Sequence, residues 1–450
     1  MKRSFFQLAI AVAFALTLLA TVVPSVAAQS FSGLDKQRVR GMLNVIKGEI
    51  KKNYYDPTFH GIDIEARFKE AEQKINSVDS LSQGFGVIAQ VLSEFNDSHL
   101  FFLPPPRPAR AEYGWQMLMI GDEAYVIAIK PGTDAETKGL KVGDRILKVD
   151  GFAPTRDNMW KMTYRYYVLR PQAGIKVVVQ TGNEGPRELD LKAKIIEGKP
   201  KIENEEDIAD VFREIDRDEH LHRQRYVEMG DLLIWKMPRF DLDKDREEEE
   251  GLRSSGELHV DELLKKAAKH RALILDLRGN GGGYEDTLKK MVGSFLDHDV
   301  KIADAKRRKE TKPIIAKTRG ASAIKNDLII LIDSRSGSAA ELLARVVQLE
   351  KRGKVIGDRS AGAVMRSQGY YYEMGGLTTI FYGASVTDAD MIMADGKSLE
   401  HTGVMPDELI VPSGADLAAK RDPVLARAAA LVGVELTAEK AGAMFPIEWK

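Results

Sequence analysis

The sequence predicts a multidomain α+β chain whose C-terminal half is a layered α/β core, and three observations carry that prediction. Apolar residues recur at helical spacing between Gly33 and Leu92, and short strands alternate with glycine turns between Tyr113 and Ile195. Two apolar strands, beginning at Arg271 and Asp327, each run through a turn of small residues directly into a helical segment. Successive units of that kind imply stacked layers of sheet and helix.

Taken in order, the chain opens with Lys2 and Arg3, an apolar run from Leu8 to Val23, then Pro24 and small residues ending at Ala28. This is the pattern of a secretory signal peptide over residues 1–28, with cleavage expected after Ala27 or Ala28, so an exported chain, periplasmic or extracellular, is expected without a stable membrane anchor. An uncleaved anchor is the alternative, since Phe5 to Val23 approaches spanning length. Residues 29–108 read as a helical domain, with Met42, Val45, Ile46 and Ile50 on one face and Phe68, Ala71 and Ile75 on another; Pro104, Pro105, Pro106 and Pro108 then form a stiff linker. Residues 109–198 read as a small β domain. Residues 199–450 hold a charged helical stretch from Asp207, the strand-like GDLLIWKMPRF, a helix near Val260 to Ala268, and the two strand–turn–helix units.

Composition narrows the chemistry. The chain has 450 residues and no cysteine, which excludes disulfides and a thiol nucleophile even for an exported protein. The formal net charge is −1; without Lys2 and Arg3 the balance is 64 basic against 67 acidic residues, or −3, which points to neither nucleic acid nor an anionic membrane as partner. No HExxH or clustered His and carboxylate spacing appears, so neither metal nor cofactor is expected.

The segment DLIILIDSRSGSAAE, residues 327–341, places Ser338 where a strand turns into a helix. A hydroxyl there sits beside unpaired N–H groups and the positive end of the helix dipole, an environment that stabilises an oxyanion. Ser338 followed by Glu341 also fits a capping box, in which the serine only satisfies the helix end. The loop RGNGGG, residues 278–283, lacks the Lys-Ser or Lys-Thr of a phosphate loop, and the third glycine of GxGxxG falls on Tyr284. Its glycines allow close approach of main-chain N–H groups to a substrate, or a plain tight turn.

Two resemblances emerge from these residues. AETKGLKVGDRILKVDG, residues 135–151, resembles the helix, turn and strand of a PDZ domain through Gly139, Leu140, Gly143, Asp144, Ile146, Val149, Asp150 and Gly151. The resemblance implies a β-sandwich-like domain that takes extended C-terminal peptides at a sheet edge, with Gly114, Trp115 and Met117 at the binding loop and strand. DLRGNGGG, then DSRSGSAAEL, then VIGDRSAGA resemble the S41 peptidase family of C-terminal processing and tricorn-core proteases. That family implies a crotonase-like spiral core and polypeptide substrates. By the same resemblance Ser338 is the nucleophile, and Gly282, with Gly281 beside it, and the Ala339 N–H form the oxyanion hole.

One departure selects between branches. Processing proteases place a lysine base in GxxTxGKG, and the corresponding stretch here, GDRSAGAV, has Ala363 at that place. The tricorn-like branch uses a histidine after a serine ahead of the PDZ domain, which matches Ser98 and His99, and an acidic partner before GVxPD, which matches Glu400. The resemblance therefore implies a serine endopeptidase with His99 as base, Ser98 and Glu400 steadying it, and activity that falls as pH drops through an ordinary imidazole value of about 6.5. The alternatives are a catalytically silent relative that holds peptides or apolar ligands, and an acyl-CoA enzyme of the crotonase type. His401 is a weaker competing base.

Overall fold

A computed structural model describes residues 31–198, 223–241, 259–375 and 379–449. The expected signal peptide and the charged stretch from Asp207 lie outside the described residues. Among the described residues no helix is long and apolar enough to cross a membrane.

Helices α1 (Gly33–Asn53), α2 (Ile64–Ser77) and α3 (Leu81–Ser93) start at Ser32, Asp63 and Ser80, whose side chains accept from first-turn N–H groups. Their apolar faces, Val39, Leu43, Ile46, Phe68, Ile75, Ile88 and Leu92 among them, do not close on each other alone. The same cluster contains Phe102 from β1 (Phe101–Leu103) and Tyr382, Ala384 and Val386 from a long strand of the C-terminal half. β1 pairs antiparallel with that strand, Phe102 opposite Ala384. Residues 97–100 are thus held between a helix end and a strand, both packed on the rest of the molecule.

A two-stranded ribbon, β2 (Ala109–Glu112) with β8 (Lys194–Glu197), leads into and out of an antiparallel sheet. That sheet is β3 (Trp115–Ile120), β4 (Glu123–Ile129), β5 (Arg145–Val149), β6 (Gly174–Gln180) and β7 (Arg187–Lys192), paired in that order, with β3 at one edge. Short helices α4 (Asp134–Thr137) and α5 (Met159–Thr163) complete the unit. Its seam with the rest is tight: Arg156 Nη2 donates to Asp358 at 2.7 Å, and a Cβ on Gly143 would stand 2.3 Å from the Gly414 carbonyl oxygen.

The central sheet carries the expected layers. Its order is β18 (Glu408–Leu409), β15 (Lys354–Gly357), β14 (Asp327–Ile332), β11 (Ala272–Asp276), β10 (Leu232–Lys236) and β9 (Arg225–Met229), parallel from β18 to β10 with only β9 antiparallel. Parallel strands covered on both faces read as continuous apolar runs. Here side-chain alternation divides them between two cores. Leu233, Trp235, Leu273, Leu275, Ile330 and Ile332 face α6 (Val260–Ala267), α7 (Glu285–Phe295) and α8 (Ala339–Leu349). Leu232, Ile234, Ile274, Ile329, Leu331 and Ile356 face the other way, toward α10 (Pro423–Leu431) and α11 (Ala438–Ala443), which follow the short α9 (Gly414–Ala418). A second sheet, β1, β17 (Ile380–Met393), β12 (Val300–Lys306) and β13 (Thr311–Ala316), with β16 (Arg366–Met374) paired to β17, covers the remaining side.

The register between β11 and β14 positions the site. Asp276 stands opposite Leu331, so both strands end at the same level and the loops that follow them, residues 277–284 and 333–338, emerge side by side. Buried Asp276 anchors the first loop: against the burial that would raise it, Arg278 and Lys236 hold its carboxyl far below the usual carboxylate range. Arg278 also reaches Asp422 at 2.7 Å, which ties the loop to the start of α10.

Candidate active site

The two loops are stitched together by main-chain and small polar groups. Gly337 N–H donates to the Asn280 carbonyl at 2.9 Å, Gly279 N–H to Asp333 Oδ1 at 2.9 Å, and Ser336 Oγ to the Leu277 carbonyl at 2.8 Å. Only small residues allow strands' ends to approach this closely. Ser338 then enters α8 with φ 51° and ψ −119°, whereas the capping residues Ser32, Ser80 and Ser413 are all extended. A left-handed φ at a non-glycine residue costs on the order of 1–3 kcal/mol and persists where surrounding contacts impose it. Here the Ser338 N–H is held by the Ala363 carbonyl at 2.8 Å and by Glu341 Oε2 at 3.1 Å. Ser338 is partly exposed while its neighbours Gly337, Ala339 and Ala340 are buried.

The glycine loop closes on this serine. A Cβ on Gly282 would stand 2.6 Å from Ser338 Cβ and 3.0 Å from the Ala339 nitrogen. The expected role of Gly282 as an oxyanion donor needs correction in one respect. Its N–H, in the two-residue turn made by Asn280, already donates to Asn280 Oδ1 at 2.8 Å. Among the described residues the N–H groups of Gly281 and Ala339 have no acceptor, and Gly281 packs against Gly337 directly ahead of the serine. Gly282 supplies closeness, and its neighbours supply the open donors.

Ser98, His99 and Glu400, separated by about three hundred positions, form one hydrogen-bonded chain. Ser98 N–H donates to Glu400 Oε1 at 2.9 Å, Ser98 Oγ lies 3.0 Å from Glu400 Oε2, and the same Oγ lies 2.7 Å from His99 Nδ1. A hydroxyl has one proton. Against a carboxylate oxygen it must donate that proton, so toward His99 it accepts, Nδ1 carries the imidazole hydrogen and Nε2 is left basic. Glu400, with a side chain only 10% exposed, also accepts from Val364 N–H at 3.0 Å. His401 borders this chain from outside: its Nε2 is 2.8 Å from the Asn96 carbonyl and 3.8 Å from Glu400 Oε1, and half of its side chain is exposed.

The segment 362–364 joins the two halves. Val364 holds Glu400, and Ala363, one residue before it, holds the Ser338 N–H through its carbonyl. Glu341 locks this segment from beneath. Fully buried, it accepts from Ser360 Oγ at 2.6 Å, Gly362 N–H at 2.7 Å, Ala363 N–H at 2.9 Å and Ser338 N–H. Burial pushes its carboxyl up to about 7 despite those four donors. Sequence reasoning took Glu341 only for a helix cap. It is the hub on which the Ser338 turn and the 360–364 segment meet, and the spacing Ser338 to Glu341 was the available signal.

Residues 237–410 match the sequence profile of peptidase family S41. The chain carries an S41 peptidase domain. The carboxy-terminal processing protease CtpA of Bacillus subtilis (strain 168) is 24% identical over 284 residues, covering 63% of this chain and 52% of its own length. A probable CtpA-like serine protease of Staphylococcus aureus (strain COL) is 24% identical over 300 residues, covering 66% of this chain and 52% of its own. The chain thus spans about half the length of the curated relatives it matches. In fold, mature CPAF aligns with a TM-score of 0.61 at 14% identity, over 86% of this chain and 94% of that one. The mixed α/β architecture around the S41 domain is therefore that of solved proteins.

The expected peptide groove is arranged differently from the expectation. Gly114, at φ 72°, is required by Thr133, whose Cγ2 would lie 2.4 Å from a Cβ there. Trp115 points into the domain core and is 5% exposed. The β3 edge is already engaged: Arg335 Nη2 donates to the Met117 carbonyl at 2.6 Å and Ser334 Oγ to the Met119 carbonyl at 2.5 Å. Both donors belong to the loop that ends in Ser338.

Proposed function

We propose that this protein is an exported serine endopeptidase in which Ser338 is the nucleophile and His99 the general base. The observation that carries the reading is the Ser98–His99–Glu400 chain, anchored by Val364 one residue from the main-chain contact that holds Ser338. Ser338 Oγ attacks the peptide carbonyl carbon as its proton passes to His99 Nε2. The Gly281 and Ala339 N–H groups receive the charge that develops on the carbonyl oxygen. The C–N bond breaks as His99 returns the proton to the leaving amine. Water then adds to the acyl ester, passing a proton through His99 back to Ser338 as the ester C–O bond breaks. Ser98 and Glu400 fix the tautomer and stabilise the imidazolium. Ala363, at the position of the relatives' lysine, leaves His99 as the base.

The domain layout that accompanies this reading is a signal peptide over 1–28, a helical unit carrying Ser98 and His99 over 29–108, a PDZ domain over 109–198 and a crotonase-like catalytic core over 199–450. A fluorophosphonate tests the nucleophile. Incubation with the purified protein should attach one phosphonyl group, mapped to Ser338 by peptide mass, and none to Ser338→Ala. An unlabelled wild-type protein that still binds peptides would instead support a silent binding relative.

Because the β3 edge is filled by Arg335 and Ser334, a C-terminal peptide adding a strand there must displace them. Arg335→Ala should therefore bind such a peptide several-fold more tightly than the wild type, measured by fluorescence anisotropy. An unchanged or weaker affinity would place the peptide elsewhere.

A further inference from the structure

The dipeptide that carries the base is held by two buried carboxylates, and only one of them has been assigned a role. Glu400 takes the main chain and hydroxyl of Ser98. Asp97, 4% exposed, takes the main chain of His99: its Oδ1 accepts the His99 N–H at 2.9 Å. That same oxygen accepts from Thr387 Oγ1 at 2.7 Å, and Oδ2 accepts from Tyr54 OH at 2.9 Å. Tyr54 is buried just past the end of α1, and its burial, with Asp97 beside it, holds the phenol far above its ordinary value, so it remains a donor. Thr387 is buried in β17, and its carbonyl accepts the Tyr55 N–H at 3.0 Å. Arg308, from the turn between β12 and β13, clamps the Tyr54 carbonyl at 3.1 Å. Two separate elements of the fold therefore converge on one carboxylate, a third steadies one of them, and that carboxylate's remaining contact is the main chain of His99.

We propose that Asp97 is a positioning residue for His99, fixing the main chain of the base to α1 and β17 while Ser98 and Glu400 fix its ring. Three neutral donors satisfy the buried carboxylate, and a group so fully bonded inside a packed wall has few alternative arrangements. Ser98 orients the imidazole about its own bonds. It does not set where the Cα of His99 stands, and a displacement of about 1 Å at a reacting group can cost on the order of a hundredfold in rate.

The proposal rests on His99 being the base, and the test separates the two. Second-order rates of fluorophosphonate labelling at Ser338, and kcat and KM on a peptide substrate, are compared for wild type, His99→Ala, Asp97→Ala, Asp97→Asn and Thr387→Val. Asp97→Ala should slow labelling about a hundredfold, with kcat falling and KM unchanged. Asp97→Asn keeps an oxygen for the His99 N–H and should recover to within about tenfold of wild type. Thr387→Val, which loosens the same oxygen without removing it, should fall between wild type and Asp97→Ala. This variant and Asp97→Asn keep the test decisive if Asp97→Ala does not fold. Wild-type rates in all Asp97 and Thr387 variants, equal losses in Asp97→Ala and Asp97→Asn, or a change confined to KM would overturn it. Wild-type labelling in His99→Ala would remove the base itself, and the proposal with it, by a separately visible result.

Discussion

Replacing His99 by alanine is expected to slow peptide hydrolysis by about 10⁴-fold or more, with the fold intact. The size follows from what the imidazole does: a serine hydroxyl is a poor nucleophile until a base receives its proton, and the leaving amine is a poor leaving group until an acid supplies one. Losses of that order accompany removal of the base from other serine hydrolases, the remainder being supplied by the oxyanion donors and binding. The structure provides an internal control. His401 is next to Glu400 in sequence and its Nε2 lies 3.8 Å from Glu400 Oε1, yet its hydrogen bond is to the Asn96 carbonyl at 2.8 Å. His401→Ala should therefore retain activity within a few-fold. Hydrolysis of an internally quenched peptide, with circular dichroism to verify folding, measures both. If His99→Ala kept more than about a tenth of the wild-type rate, or if His401→Ala lost as much, the assignment of the base would fail.

Gly282→Ala is the second large effect. The added methyl would lie 2.6 Å from Ser338 Cβ, a distance that real side chains do not adopt, and the residue would be held at φ 101°, a region closed to alanine without strain. Ser338 cannot retreat cheaply, because its N–H is fixed by Ala363 and Glu341 and its loop is stitched to residues 277–280. Activity should fall by on the order of a hundredfold or more, through misplacement of the nucleophile, and stability by about 1–3 kcal/mol. Gly281→Ala, one residue earlier, meets nothing within 4 Å, has no left-handed φ and keeps its N–H. It should stay folded and active. Thermal unfolding and hydrolysis of the two variants in parallel decide the matter: equal behaviour would mean that the glycine loop is not closed on Ser338 as described.

Much of this was legible in the sequence because the signals are local. An apolar strand, a run of small residues and an amphipathic helix give the turn at Ser338, and the parity of Leu232 to Trp235 or Ala272 to Leu275 divides cleanly between two cores. Ser98, His99 and Glu400 were found by resemblance, and the chain folds them into one network. The misses share a cause. Which glycine N–H stays open depends on where the Asn280 side chain turns, and no spacing encodes that. Glu341 explains itself locally as a cap, so its contacts to Ser360, Gly362 and Ala363 carry no separate signature. What covers the β3 edge was not legible either, because its donors, Ser334 and Arg335, arrive from more than two hundred residues away.

The distance in sequence between the partners of the base has a consequence for the life of the molecule. Ser98 and Glu400 lie 302 positions apart, and Thr387, which steadies Asp97, comes almost as late. A chain made from its N-terminus presents Ser98 and His99 early and Ser338 later, but Thr387 and Glu400 arrive only with the last seventy or so residues. Until then the nascent polypeptide carries the proposed reacting groups without the contacts that Thr387 and Glu400 add. The site proposed above is therefore completed only when the end of the chain has folded onto its beginning.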